Sequence, residues 1–599
     1  MNYYAEIAVQ IMFLIMLAAS FNILFSYAGQ VSMAHSAFFG IGAYAAGRAT
    51  LPVIKGVDDS GILSGFGTPL IVALVIAGMV AFVIGLLIAL PALSRVAGDY
   101  LILMTIAFQL IINQLMNALD GVTGGSYGLK AIPPLRFFGV NLSQPTKAIW
   151  LIFAATIIVV YITHRLSSSP FGRLLRGIRE HDSAVRAIGK NTVIPKIVAF
   201  GFAGSLAAVA GGLNGAYYQL AIPNTFDLSL SILVFSVVVL GGSGNLIGTV
   251  IAAIFLTLLK PIMQAVAGDA ALAWQGVAYG LALILMVRFR PQGLLPEGVG
   301  WRQLIARFRV LDVVPSPHLG QLHLRARMEV EDTIALQKTV NPTEELEHVA
   351  VLTIEGLSKH FGGVKAVQDV SFRLPENLIT GLLGPNGAGK TTVFNLITNA
   401  IKPDGGSIHL KGRDISQLST VQIAQAGMAR SFQDGRLFHK LSALDNVAIA
   451  VPQQLGESVR ALVLRPLASA KRERIVREKA LEALGFVGLV DSANKIVGDM
   501  SFGDQKLVAI ARLIATECDV LLLDEPTAGV DPSAVESVIT TVRDLRNLGK
   551  TICLVEHSVH LMGQLADHIV FMDQGRVVEE GTLNHLMQQK HLMEIYFGT

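Results

Sequence analysis

The first 300 residues are a succession of long apolar stretches that almost no charge interrupts, and few folds can accept them. A bilayer core is about 30 Å thick and takes about 20 apolar residues of helix to cross. Stretches near 5–26, 31–54, 67–93, 100–119, 147–163, 196–222, 228–242, 246–266 and 271–287 approach that length, some of them short or broken by glycine. The expectation is a polytopic α-helical membrane domain of eight to ten spans over residues 1–300. The first stretch is too long for the apolar part of a cleaved leader, and no Lys or Arg precedes Arg48.

Charge divides the chain at the same place. By count, residues 1–300 carry 16 Lys+Arg and 10 Asp+Glu, whereas residues 301–599 carry 31 and 34. The 15% of charged residues is well below the roughly one quarter usual in soluble proteins, so the whole is not one large soluble enzyme. A net charge of +3 argues against nucleic acid as a partner, which calls for a concentrated basic face. The two cysteines, Cys518 and Cys553, sit in apolar runs of the second half and read as core residues, with no disulfide framework or metal spacing.

Positive charge collects in the loop 164–196, with Arg165, Arg173, Arg176, Arg179, Arg186, Lys190 and Lys196 against Glu180 and Asp182. The positive-inside rule puts that loop in the cytoplasm, together with Arg288 and Arg290 after the last span, and the charge-poor loop 120–146 outside. The side of the N-terminus, and whether 31–54 crosses or re-enters, stay open. Glycines such as Gly201, Gly204, Gly211, Gly212 and Gly241, and the pair Gly244 and Gly248, let helices approach closely, or slide during a cycle. Gln109, Asn113, His35 and Asn214 at membrane depth either line a path or bond between helices. No carboxylate stands clearly mid-span, so a proton-coupled carrier is disfavoured and another energy source is needed.

The second half supplies one. Residues 301–347, with Pro315, Pro317 and Pro342, read as a linker with some surface helix. From 348 to 599, short β-branched runs (VLTIEGL, VKAVQDVSF, LITGLLG, DVLLLDE, TICLVEH, HIVFMDQG) alternate with helical patterns, as in an α/β domain. GPNGAGKT at 384–391 follows one predicted strand and opens a helix, the context a phosphate loop requires. Asn386, Gly387 and Gly389 shape backbone amides around phosphate, Lys390 is placed to reach the β and γ phosphates of a nucleotide, and the Thr391 hydroxyl, beside Thr392, is placed to ligate Mg²⁺. VLLLDE at 520–525 ends a buried strand in Asp524, placed for Mg²⁺, and Glu525, placed as general base toward water.

SFQDGRLF at 431–438, MSFGDQ at 500–505, GVDP at 529–532 and VEHS at 555–558 complete an ordered set that resembles the ABC-type ATPases. The resemblance implies that Gln433 touches Mg²⁺ and water, that Ser501 and Gly503 of the signature motif and Asp531 meet nucleotide, that His557 reaches the γ phosphate, and that Phe361 stacks on adenine. The signature departs from the commonest LSGGQ, with Phe502 for a glycine and Asp504 for the glutamine. It also implies that two such domains close on each ATP, so that one chain is half of a dimer.

In the first half, NILFSYAGQVSMAHSAFFGIGAYAA at 22–46, GDYLILMTIAF at 98–108, TGGSYGL at 123–129, SPFGRLLRGIREHDSAVRAIGKNTVIPKIVAF at 169–200 and VVLGGSGNLIGTVIAA at 238–253 resemble the permease subunit of branched-chain amino-acid uptake systems. The chain is thus similar to a fused permease and ATPase of a bacterial inner-membrane importer, with the ATPase domain cytoplasmic. The partners implied are a second permease and a second ATPase (or a second copy of this chain), a periplasmic solute-binding protein and a small-molecule solute. Residues 179–189 become a coupling helix, with Arg176 and Arg179 either docking on an ATPase or only setting topology. Urea, short amides or aromatic acids stay open as solutes, and a homodimeric exporter or a regulatory ATPase on a membrane scaffold are the competing classes.

Overall fold

The computed structural model describes residues 2–53, 64–95, 98–137, 140–142, 144–268, 274–297, 350–433 and 435–597. The expected linker 301–347 lies outside them. The described residues separate into two compact units, one of residues 2–179 and 193–297 and one of residues 180–192 and 350–597.

The first unit is helical: α1 (Asn2–Asn22), α2 (His35–Thr50), α3 (Leu70–Arg95), α4 (Gly98–Ala118), α5 (Pro145–Ser167), α6 (Pro170–Ala187, whose first part belongs here), α7 (Val193–Tyr218), α8 (Leu228–Gly241), α9 (Leu246–Ala267) and α10 (Gln275–Phe289). Seven helices among the described residues are long and apolar enough to cross a membrane. The stretches expected at 31–54 and 271–287 become the shorter α2 and α10, of 16 and 15 residues. α2 reaches about 24 Å at 1.5 Å per residue, short of a full crossing. It is buried on nearly every face, and a fully buried helix is as apolar in sequence as a lipid-facing one.

The exposed apolar stripes are the complement of that interior. Ile71, Val75, Met79, Val83, Leu87 and Leu90 on α3, and Trp150, Phe153, Ile157 and Tyr161 on α5, are exposed in the chain by itself, an arrangement water would penalise and lipid or a partner helix would not. The glycines serve close approach: a Cβ on Gly42 would overlap the Ala208 backbone of α7, and one on Gly211 the Phe39 carbonyl of α2. Gln109 is fully buried and bonds between elements, accepting from the Ala37 amide at 2.6 Å and donating to the Phe226 carbonyl at 2.7 Å. His35 meets the Ser20 hydroxyl at 2.8 Å, and Asn113 donates to the Pro223 carbonyl at 3.0 Å. Of the four polar candidates, three are therefore structural bonds, and Asn214 is the exception taken up below.

Arg179 donates to the Ser26 carbonyl just past α1 and pairs with Glu297 at 2.9 Å, so α1 ends on the side of the basic loop and the N-terminus starts on the opposite side. Leu129–Lys130 pairs antiparallel with Leu220–Ala221 beyond the far end of α7, which puts that part of the 120–146 loop opposite the basic loop, as expected from its charge.

The second unit holds two sheets. β1 (Ala350–Phe361), β2 (Val364–Pro375) and β4 (Gly405–Leu410), with the edge strand Arg413–Asp414, form an antiparallel sheet. β3 (Ile379–Leu383), β5 (Met428–Arg430), β6 (Val520–Asp524), β7 (Thr551–Val555), β8 (His568–Asp573) and β9 (Arg576–Gly581) form a six-stranded sheet in the order β5-β6-β7-β3-β8-β9. Only the β8–β9 pair is antiparallel. All six predicted strands are present. Val520, Leu521, Leu522 and Leu523 are at most 1% exposed, and burial of each side chain contributes about 1.5–3 kcal/mol. Cys518 and Cys553 are buried, which pushes both thiols above their ordinary range.

Candidate nucleotide site

In a parallel sheet the carboxyl ends of neighbouring strands lie side by side, and that is where the motifs meet. β3 runs into the phosphate loop, β6 ends at Asp524 opposite Val555, and β7 leads to His557. A cleft of about 690 Å³ there is lined by Asn386, Gly387, Gly389, Lys390, Thr391, Thr392, Gln433, Glu525 and His557. Gly387 and Gly389 have φ of +86° and +98°, left-handed values that only glycine takes without strain. α11 (Lys390–Ile397) starts at the loop, so its unpaired amides and dipole favour an anion there. Lys390 donates to the carbonyls of Gly384 at 2.7 Å and Pro385 at 2.9 Å. Burial pulls its ammonium below the ordinary range, and the nearby carboxylates of Glu525 and Asp524 work against that pull.

Glu525 is the hub. Its Oε1 lies 2.6 Å from His557 Nε2 and its Oε2 accepts from Gln433 Nε2 at 2.7 Å. Its φ of +48° is costly for a non-glycine residue and is held by the hydrogen bond that its N–H donates to the Val555 carbonyl at 3.0 Å. Asp524 lies deeper: Oδ2 pairs with Arg430 at 2.9 Å, side chains 1% and 3% exposed, while Oδ1 is buried with no hydrogen-bond partner among the described residues. An orphaned carboxylate oxygen beside a phosphate loop suits a divalent cation reached through water, and the Thr391 hydroxyl lines the same cleft.

Phe361, 45% exposed at the end of β1, does not line this cleft, although Val364 just across the β1–β2 turn does. Ser501, Gly503 and Asp531 stand apart from it as well. Ser501 caps α12 (Phe502–Ile514), accepting from the Asp504 amide at 3.1 Å, and Asp531 precedes α13 (Pro532–Asn547). Phe502 is 68% exposed beside them. Within one chain, then, Gln433, Glu525, His557 and the phosphate-loop residues converge, and Ser501, Gly503 and Asp531 do not.

Three supporting residues went unread in the sequence. Arg430 also donates to Asn395 Oδ1 at 2.7 Å, and burial lowers its guanidinium pKa against the pull of Asp524. Lys506, on α12, donates to the carbonyls of Gln433 at 2.7 Å and Glu525 at 3.1 Å. Arg512, fully buried and pulled down to about 10 by burial, donates to the carbonyls of Gly435 and Arg436. A basic residue next to a motif was the one available signal, and it does not identify a partner many residues away.

The segment 180–192 belongs by its contacts to this unit. Arg436 donates to Ser183 at 2.5 Å, Gln425 to the Gly189 carbonyl at 2.9 Å, and Lys190 to the Val451 carbonyl and Glu457, each at 2.7 Å. Arg176 and Arg179 do not take part in these bonds. Arg176 reaches the carbonyls of Gly172 and Ser167, and Arg179 those partners beside α1. The helix breaks between the two sets, with His181 at φ −146° and ψ 87°.

Residues 3–287 match the family model described as the permease component of the branched-chain amino acid transport system, and residues 367–528 match that of the ABC transporter. The high-affinity branched-chain amino acid transport ATP-binding protein LivG of Salmonella typhimurium is 36% identical over 249 residues, 41% of this chain and 98% of the relative. BraF of Pseudomonas aeruginosa, of the same description, is 35% identical with the same coverage. With a nucleotide cleft built from the ordered motifs, and relatives matched over nearly their whole length, the chain belongs to the ABC transporters of the branched-chain amino acid type, with permease and ATP-binding components joined in one polypeptide.

Proposed function

We propose that this chain imports amino acids, branched-chain ones above all, across the bacterial inner membrane at the expense of ATP. It acts with a second permease and ATPase, or a second copy of itself, and a periplasmic solute-binding protein. The observation that carries this reading is the Glu525 hub beside the phosphate loop, in a chain whose other half matches a branched-chain permease. When bound, Mg²⁺ neutralises charge on the phosphates of ATP. Lys390 and the loop amides hold the phosphates, Glu525 accepts the proton of the attacking water, and His557 and Gln433 fix the direction of its carboxylate. Ser501, Gly503 and Asp531, apart from the cleft of their own chain, serve the ATP of the partner. This accounts for the need for two cassettes. The ATPase unit faces the cytoplasm.

ATPase activity of the assembled complex, measured with and without its solute-loaded binding protein, tests the direction of transport. Stimulation by the loaded protein is expected, and equal rates with and without it would remove the importer reading in favour of the exporter. Lys190 provides a second test. Replacing it with Ala deprives Glu457 and the Val451 carbonyl of a buried donor, a change of about 3–5 kcal/mol for a broken buried pair. Lys190→Ala is expected to keep ATP hydrolysis and lose most uptake, read as solute moved per phosphate released. An unchanged ratio would show that the segment does not transmit motion.

A further inference from the structure

The membrane unit holds a cavity of about 360 Å³, in the size range of small-ligand sites, which are about 300–1,000 Å³. Phe13, Leu17, Leu233 and Leu256 give it apolar walls, and Asn214 and Lys260 are polar groups on it. Asn214 is only 8% exposed, and no hydrogen bond joins its side chain to another described residue. Its amide is therefore left to face the cavity it lines. Lys260 is exposed, and no ion pair or hydrogen bond joins its side chain to another described residue. It is the one charged residue of α9, about 21 Å along the helix from Leu246. The next residue, Pro261, has no N–H, so the carbonyl of Thr257, another lining residue, lacks its usual helical donor. Glu6, a turn before Gln10 on α1, is already engaged by the hydroxyls of Tyr217 and Tyr218.

We propose that this cavity is a solute site for small carboxylates with an apolar body, in which Lys260 holds the carboxylate and Asn214, with the Thr257 carbonyl, meets the remaining polar group. The proposal rests on the import reading above and narrows it. A branched aliphatic side chain covers the apolar walls of Phe13, Leu17, Leu233 and Leu256, which urea or a short amide would leave uncovered. With no carboxylate on the cavity wall among the described lining residues, the ammonium of an amino acid meets neutral acceptors only. The α-keto acid of leucine should therefore occupy the site nearly as well as leucine.

The test uses the full chain with its partner subunits in membranes. Leu233→Cys places a thiol on the cavity wall, and the two native thiols are buried in the ATPase unit, so the background is low. Leucine and its α-keto acid are expected to slow labelling by N-ethylmaleimide at similar concentrations, and urea not at all. Adding Lys260→Met should raise the half-protecting leucine concentration by about tenfold or more, the loss of one charge-assisted hydrogen bond, and Lys260→Arg should restore most of it. A labelling rate without solute that matches the parent shows that the cavity is intact. Unchanged half-protection in Lys260→Met, or protection by urea equal to that by leucine, overturns the proposal. Uptake of labelled leucine in cells with the unmodified system separates the two levels. Uptake without protection refutes the cavity and leaves import standing, whereas neither uptake nor protection refutes the import reading itself.

Discussion

Glu525→Gln is expected to slow ATP hydrolysis by about 10²–10⁴-fold and to abolish measurable solute uptake, while ATP stays bound. The carboxylate stands between Gln433 at 2.7 Å and His557 at 2.6 Å, and an amide of the same shape keeps a partner on each side. What it loses is the negative charge and the lone pair that accepts a proton from water, so the loss is chemical. Phosphate release and nucleotide retained on the purified complex measure the two effects together. His557→Ala should cost less, because it removes a group that orients the carboxylate and leaves the acceptor in place. A Glu525→Gln protein hydrolysing within about threefold of the parent would assign the proton to another group.

The parts of this site that were legible in the sequence are those whose chemistry sits in contiguous residues. GPNGAGKT names its loop because glycine, lysine and threonine act within eight residues, and VLLLDE carries both strand and carboxylates. The parallel sheet then does the assembly, since adjacent strand ends bring residues 390, 525 and 557 to one cleft. The illegible parts are pairings across distance. Arg430 reaches Asp524 over 94 positions, and Lys190 reaches Glu457 over 267. Arginine density drew attention to Arg176 and Arg179, but the contacts of segment 180–192 use Glu180, Ser183, Gly189 and Lys190, which are unremarkable in composition. In the membrane unit, hydropathy located the helices and could not separate a span from the buried α2, because both exclude water. In the sequence Lys260 is a single charge in an apolar stretch. Its weight comes from the cavity and from Asn214 on α7, neither of which has a local sequence signature.

Arg430→Met is expected to destabilise the ATPase unit by about 3–5 kcal/mol, the cost of stranding a buried carboxylate. The guanidinium pairs with Asp524, bonds Asn395 and lies over the rings of Phe394 and Phe432, so methionine replaces the packing but none of the polar contacts. Asp524 Oδ1 already lacks a partner, and the substitution would leave both oxygens bare in a site about 2% exposed. All three tryptophans (Trp150, Trp274 and Trp301) precede residue 350, so their fluorescence does not report on this unit. Its two buried thiols do, because Cys553 at 0% and Cys518 at 5% exposure react only when the unit opens. Where opening and closing are fast relative to labelling, thiol reactivity of the full chain should rise roughly 10²–10³-fold or more in Arg430→Met. Adding Asp524→Asn removes the stranded charge, so the double variant should label more slowly than Arg430→Met alone, a coupling that independent sites would not show. If the two substitutions instead add, the pair is not what holds the carboxyl end of β6 in place, and the stability of the site must come from the strand packing around it.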